Sequence, residues 1–107
     1  MQGEAEAGGM MGSQFPPAPF VNVTMTPASS RVSAIAYYDP RTGGESYIYV
    51  RFKNERPVGS ATLYRYDGDY SQYLAFAAAP SKGKYVNAVM NHLNYAPEYN
   101  PPIEITI

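Results

Sequence analysis

The stretch ESYIYVRFK, residues 45 to 53, constrains the fold more than any other. Drawn as an extended chain it sets Ile48, Val50 and Phe52 on one face and Tyr47, Tyr49, Arg51 and Lys53 on the other. Successive side chains of a strand point to opposite faces, so the first set predicts a side turned toward a core. A single strand has no stability of its own in water and requires neighbours. Two are readable. VSAIAYY (32 to 38) precedes it across Asp39-Pro40 and Thr42-Gly43-Gly44, a turn signal in which either glycine offers a positive φ. ATLYRYD (61 to 67) follows it across the polar, proline-containing loop Asn54 to Gly59, with Tyr64 and Tyr66 sharing one face. The expectation is an antiparallel meander of three strands.

Helical spacing takes over after Asp67. Asp69 stands three residues before Gln72, the spacing of a capping box, and Tyr70, Tyr73, Leu74 and Ala77 fall on one helical stripe. Pro80 stops that helix. Ser81 is placed to cap a second, with Tyr85, Val86, Val89, Met90 and Leu93 on one side and Gly83 near its start, where it lets the backbone turn tightly. The fold class expected is α+β: a small three-stranded antiparallel meander followed by two helices on one face, with strand-forming arms at both ends. The N-terminal arm, residues 1–25, opens with a Gly-, Pro-, Met- and Ala-rich stretch and closes on FVNVTM, where Phe20, Asn22 and Thr24 alternate with Val21, Val23 and Met25. A domain at 26–95 follows. The tail, 96–107, ends beyond Asn100-Pro101-Pro102 in IEITI, where an extended chain places Ile103, Ile105 and Ile107 together.

Such a domain has about 70 residues and buries only roughly 60% of its unfolded surface, so its core must be efficient. The chain of 107 residues has no cysteine and no tryptophan, four phenylalanines and eleven tyrosines. Disulfides and thiolate metal sites are excluded, and tyrosine rings must fill much of the core with their hydroxyls at its rim. Charge is segregated. Eight cations against five carboxylates leave residues 31 to 84 at +3, and four glutamates leave the flanks at −4. That excess is compatible with a polyanionic partner without requiring one. The N-terminus has acidic residues where a secretory signal needs positive charge, and no run approaches the roughly 20 apolar residues of a membrane span. The expectation is a protein not exported by a signal peptide, cytoplasmic or virion-associated.

SSRVSAIAYYDPRTG, YVRFKN, LYRYDG and AAAPSKGKYVNAVM, in this order, resemble the KTSC domain, a module named from the carboxyl-terminal extension of some lysyl-tRNA synthetases and found alone in bacteria and phages. The resemblance runs from about Ser29 to Tyr95 and rests on Tyr64-Arg65-Tyr66 and on Ser81-Lys82-Gly83-Lys84-Tyr85-Val86-Asn87. It implies a compact α+β domain for which RNA binding has been suggested, and no established catalytic residues. The loop at Asn54 to Ser60 is longer than the family's tight turn, and both arms lie outside the domain.

Three sets of residues are candidates for function. Tyr47, Tyr49, Arg51 and Lys53, joined by Arg65, form an aromatic and basic sheet face of the kind that stacks single-stranded bases or meets a protein partner. Ser81, Lys82 and Lys84 offer a weak anion site that lacks the glycine spacing of a phosphate loop. Phe20, Val21 and Val23 with Ile103, Ile105 and Ile107 are strand-forming residues suited to docking on neighbouring chains. His92 stands alone and reads as a packing or surface residue, and Asp67 and Asp69 as turn and cap residues. No base is placed to activate a nucleophile, so neither catalysis nor a metal or cofactor is expected. Two functions remain. One is a structural or interaction protein whose partners are other subunits of an assembly, itself included, most concretely a phage virion component such as a capsid decoration or cement protein. The alternative is a single-stranded RNA- or DNA-binding module, with nucleic acid a weaker partner.

Overall fold

The alternating segments form strands, and the strands pair in chain order. The computed structural model describes residues 18–53 and 62–107; residues 1–17 and 54–61, with most of the N-terminal arm and the Asn54 to Gly59 loop, lie outside the described residues. Strands β1 (Phe20–Met25), β2 (Val32–Asp39), β3 (Tyr47–Phe52), β4 (Leu63–Asp67) and β5 (Tyr95–Pro97) make a five-stranded antiparallel sheet in that order. Helices α1 (Tyr70–Ala78) and α2 (Lys82–Ala88) and a 3-10 turn at Met90–His92 connect β4 to β5. The β2–β3 turn takes its left-handed residues at Arg41 (φ 62°) and Gly44 (φ 81°). Register is set by hydrophobic matching: Ile35 faces Val50, which faces Tyr64, and Tyr37 faces Ile48, which faces Tyr66.

Those residues line the face covered by the helices. Val32, Ile35, Tyr37, Ile48, Val50, Phe52 and Tyr66 meet Tyr73 and Phe76 of α1, Val86 of α2 and Met90. The rings interlock. Phe20 and Tyr37 contact Tyr70, Tyr37 also contacts Tyr73, and Phe76 stacks on Tyr85 at 5.2 Å. Aromatic pairs at such spacings contribute about 0.5–1.5 kcal/mol beyond the area they bury. The helix ends follow the sequence. Asp69 accepts from the Gln72 amide at 2.9 Å while the Gln72 side chain accepts from the Asp69 amide at 2.7 Å, and Ser81 accepts from the Lys84 amide. Ala79, the residue before Pro80, is extended and ends α1.

Four expectations are corrected. The sheet has five strands rather than three, because Phe20–Met25 pairs along its whole length with β2 and Tyr95–Pro97 pairs with β4. In α1 the buried residues are Tyr73 and Phe76, and Leu74 is 47% exposed. Val89 caps the end of α2 and is also exposed, so the apolar stripe keeps Val86 and Met90 buried, with Tyr85 and Leu93 partly buried against them, and loses Val89. Beyond Pro97 the tail forms no strand. Ile105 donates its amide to the Pro102 carbonyl at 2.9 Å, closing a turn through Ile103 and Glu104 that breaks the alternation of IEITI. Ile103 is therefore 91% exposed while Ile105 is 7% exposed on this chain's own sheet.

Candidate interaction site

The face of the sheet away from the helices carries the aromatic and basic set. The register places Tyr47, Tyr49 and Arg51 of β3 beside Leu63 and Arg65 of β4 and beside Ala36 and Tyr38 of β2. The Arg65 guanidinium lies 4.6 Å above the Tyr47 ring and 4.0 Å from the Glu98 carboxylate, and the Tyr47 hydroxyl donates to Glu45. Four of the five expected residues thus share one surface. Lys53 does not engage it, because its ammonium donates to the Pro27 carbonyl at 3.2 Å.

The tail lies across this surface. Ile105 packs with Ala36, Tyr49 and Leu63, flanked by Ile107, Val21, Tyr38 and Tyr47. Arg51 holds the tail with Nε and Nη2 donating to the Ile107 carbonyl oxygen at 3.3 and 3.1 Å, while Nη1 donates to Thr62 at 2.6 Å. Tyr49 is 2% exposed, and burial first, then the Glu98 charge, pushes its hydroxyl up to about 12. It is a core ring, and the expectation that it offers an open stacking surface is corrected. The tyrosine spacing in β3 gives no hint of the cover, which comes from a segment more than fifty residues away.

Beside the tail the same face opens at the sheet's edge. In β1 the side chains of Val21, Val23 and Met25 point to this face, and Val23 and Met25 are 39% and 64% exposed. Phe20, Asn22 and Thr24 point the other way. Asn22 donates to the Tyr70 hydroxyl at 3.1 Å and Thr24 bonds to the Tyr73 hydroxyl, so β1 is locked to α1. Among the described residues β1 is bonded on one side only, to β2, and it contains no charged residue.

The expected anion residues separate. Ser81 and Lys82 line a cleft of about 450 Å³ between the β1–β2 turn and the junction of the helices, and Lys84 is not among its lining residues. Thr24, Thr26, Ser29 and Ser30 supply its other wall, hydroxyls that are not among the expected site residues. His92 is exposed, and no group of three metal-ligating side chains occurs among the described residues. No described helix is long and apolar enough to cross a membrane. No family model, curated protein or solved structure matches this chain.

Proposed function

We propose that the protein is a non-enzymatic structural subunit, and that subunits join by pairing their β1 edges. The observation that carries this reading is the edge itself: an uncharged strand, bonded on one side among the described residues, with Val23 and Met25 exposed beside it. Natural sheets protect such edges with lysine, proline, bulges or a covering segment. The opposite edge follows that rule, since β5 is three residues long and ends in Pro97. β1 does not. Its partner is a second copy of the same strand: FVNVTM carries no like charges to repel across a two-fold axis, and antiparallel self-pairing brings the apolar sets of both copies onto one face. The resemblance to the KTSC domain, found alone in phages, supports a virion component such as a capsid decoration protein as the concrete setting. The nucleic-acid reading loses support because its stacking face holds the tail.

A lysine in place of Val23 sets two charges near each other across the paired edge and leaves the half-exposed side chain outside the core. In sedimentation across a concentration series, the full-length protein is expected to form dimers or larger species. Val23→Lys should shift it to monomer with an almost unchanged melting temperature. A wild-type protein that stays monomeric at all concentrations overturns the reading.

A further inference from the structure

We propose that the cleft between the β1–β2 turn and the helix junction is a binding site for a small phosphate monoester, a ligand with a compact apolar body and a dianionic head. Three independent features meet there. The first is size: about 450 Å³ lies within the range of small-molecule sites. The second is the lining. Pro27, Ala28, Ala77 and Pro80 give an apolar wall for an organic body, while Ser29, Ser30 and Ser81 bring hydroxyls, and none of the lining residues is a carboxylate.

The third is charge. Lys82 lies in the lining with its ammonium donating to the Ala79 carbonyl at 2.6 Å. Lys53 is held over the lining residue Pro27 by its bond to that carbonyl. The stem of Arg31 packs on the lining residue Gly83, where a Cβ would lie 3.6 Å from its Cδ, and its guanidinium donates to Asn87. These cations are anchored by neutral oxygens, which fix their positions and, among the described residues, leave their charge uncompensated. Among the described residues none of the three forms an ion pair; the pair that is present joins Arg65 to Glu98. Of the described carboxylates, Asp39, Glu45, Asp67 and Asp69 sit at the other end of the sheet, where Phe20 pairs with Asp39 and Tyr47 with Asp67, and Glu98, nearer the cations, is paired with Arg65. A dianion is therefore drawn toward this end of the described residues, where Lys82 lines the cleft and Lys53 and Arg31 stand beside its lining, and the second charge of a monoester suits that set better than the single charge of a diester. The assignment does not rest on subunit pairing at β1, although Thr24 and Met25 of that strand border the cleft.

Titration of the full-length protein with phenyl phosphate, followed through backbone amide resonances, tests the assignment. Saturable shifts confined to residues 24–30 and 79–83 are expected, with weaker binding of inorganic phosphate, which lacks the apolar body. Lys53→Gln and Lys82→Gln should each weaken binding by about tenfold, the scale of one charge-assisted hydrogen bond, with unchanged melting, and Lys82→Arg should retain it. Absence of saturable shifts, equal affinity in both glutamine variants, or equal affinity for inorganic phosphate overturns the assignment. Tighter binding of a single-stranded oligonucleotide than of phenyl phosphate at physiological salt does so too, giving the cations to a nucleic-acid backbone.

Discussion

Tyr49 illustrates how one residue reports on the whole back face. Its hydroxyl is raised from 10.0 to about 12 chiefly by burial under Ile105. A group whose folded value is raised contributes stability that is fully present below the unfolded value, near pH 10, and lost as pH rises through the folded one. Two pH units correspond to at most about 3 kcal/mol. Denaturant midpoints of the wild type and Tyr49→Phe should therefore converge with or cross one another between about pH 10 and 12, the wild type losing stability faster; parallel profiles would place Tyr49 in water. Asp69 runs with the opposite sign. The Gln72 amide first, then the Ser71 hydroxyl, hold its carboxyl below the usual 3.8, so its stabilising effect is present above that value and lost as pH falls through the lowered one. Asp69→Ala should cost about 1 kcal/mol at neutral pH, read from thermal melts, with the difference from wild type disappearing in acid. Asp69, Gln72, Pro80 and Ser81 were legible because each acts within three or four residues of chain. The depth of Tyr49 was not, because alternation assigns a face without saying what lies on it.

At the scale of elements, the same limit explains which segments read correctly. Ile48, Val50 and Phe52 define a core face by themselves, and Tyr64 and Tyr66 follow through strand pairing. β5 escaped because Tyr95-Ala96-Pro97 is too short to alternate and contains a proline, and it pairs only because the helices return the chain to the free side of β4. The tail misled for a different reason: IEITI has the pattern of a strand, yet Pro101 and Pro102 precede a turn that leaves only Ile105 and Ile107 against the sheet. The cleft was legible on one wall only, since its hydroxyls at 24–30 and its lysine at 82 are distant in sequence. A consequence follows for truncation. Removing residues 101–107 uncovers Tyr49 and Leu63 and takes away Ile105, whose burial alone contributes roughly 1.5–3 kcal/mol. The truncated protein should melt several degrees lower and show an increase in Tyr49 exposure. An unchanged melting temperature would mean that the tail does not rest on its own sheet.

The molecule as a whole has two unlike ends and two unlike edges. Arg31, Lys53 and Lys82 gather where the β1–β2 turn meets the helix junction, and Asp39, Glu45, Asp67 and Asp69 gather at the far end of the strands. The β5 edge is short and closed by proline, whereas β1 is long and uncharged. Pairing of two β1 strands would join two sheets into one of ten strands and leave both clefts, one in each subunit, at the margins of the interface, where Met25 borders cleft and edge alike. Hydrogen exchange of β1 in the full-length protein, measured under dilute and concentrated conditions, addresses this most directly. The outward amides of the 20–25 strand should exchange quickly in the dilute protein and become strongly protected in the concentrated one, while β5 is unaffected. Equal exchange of β1 under both conditions would contradict subunit pairing at this edge.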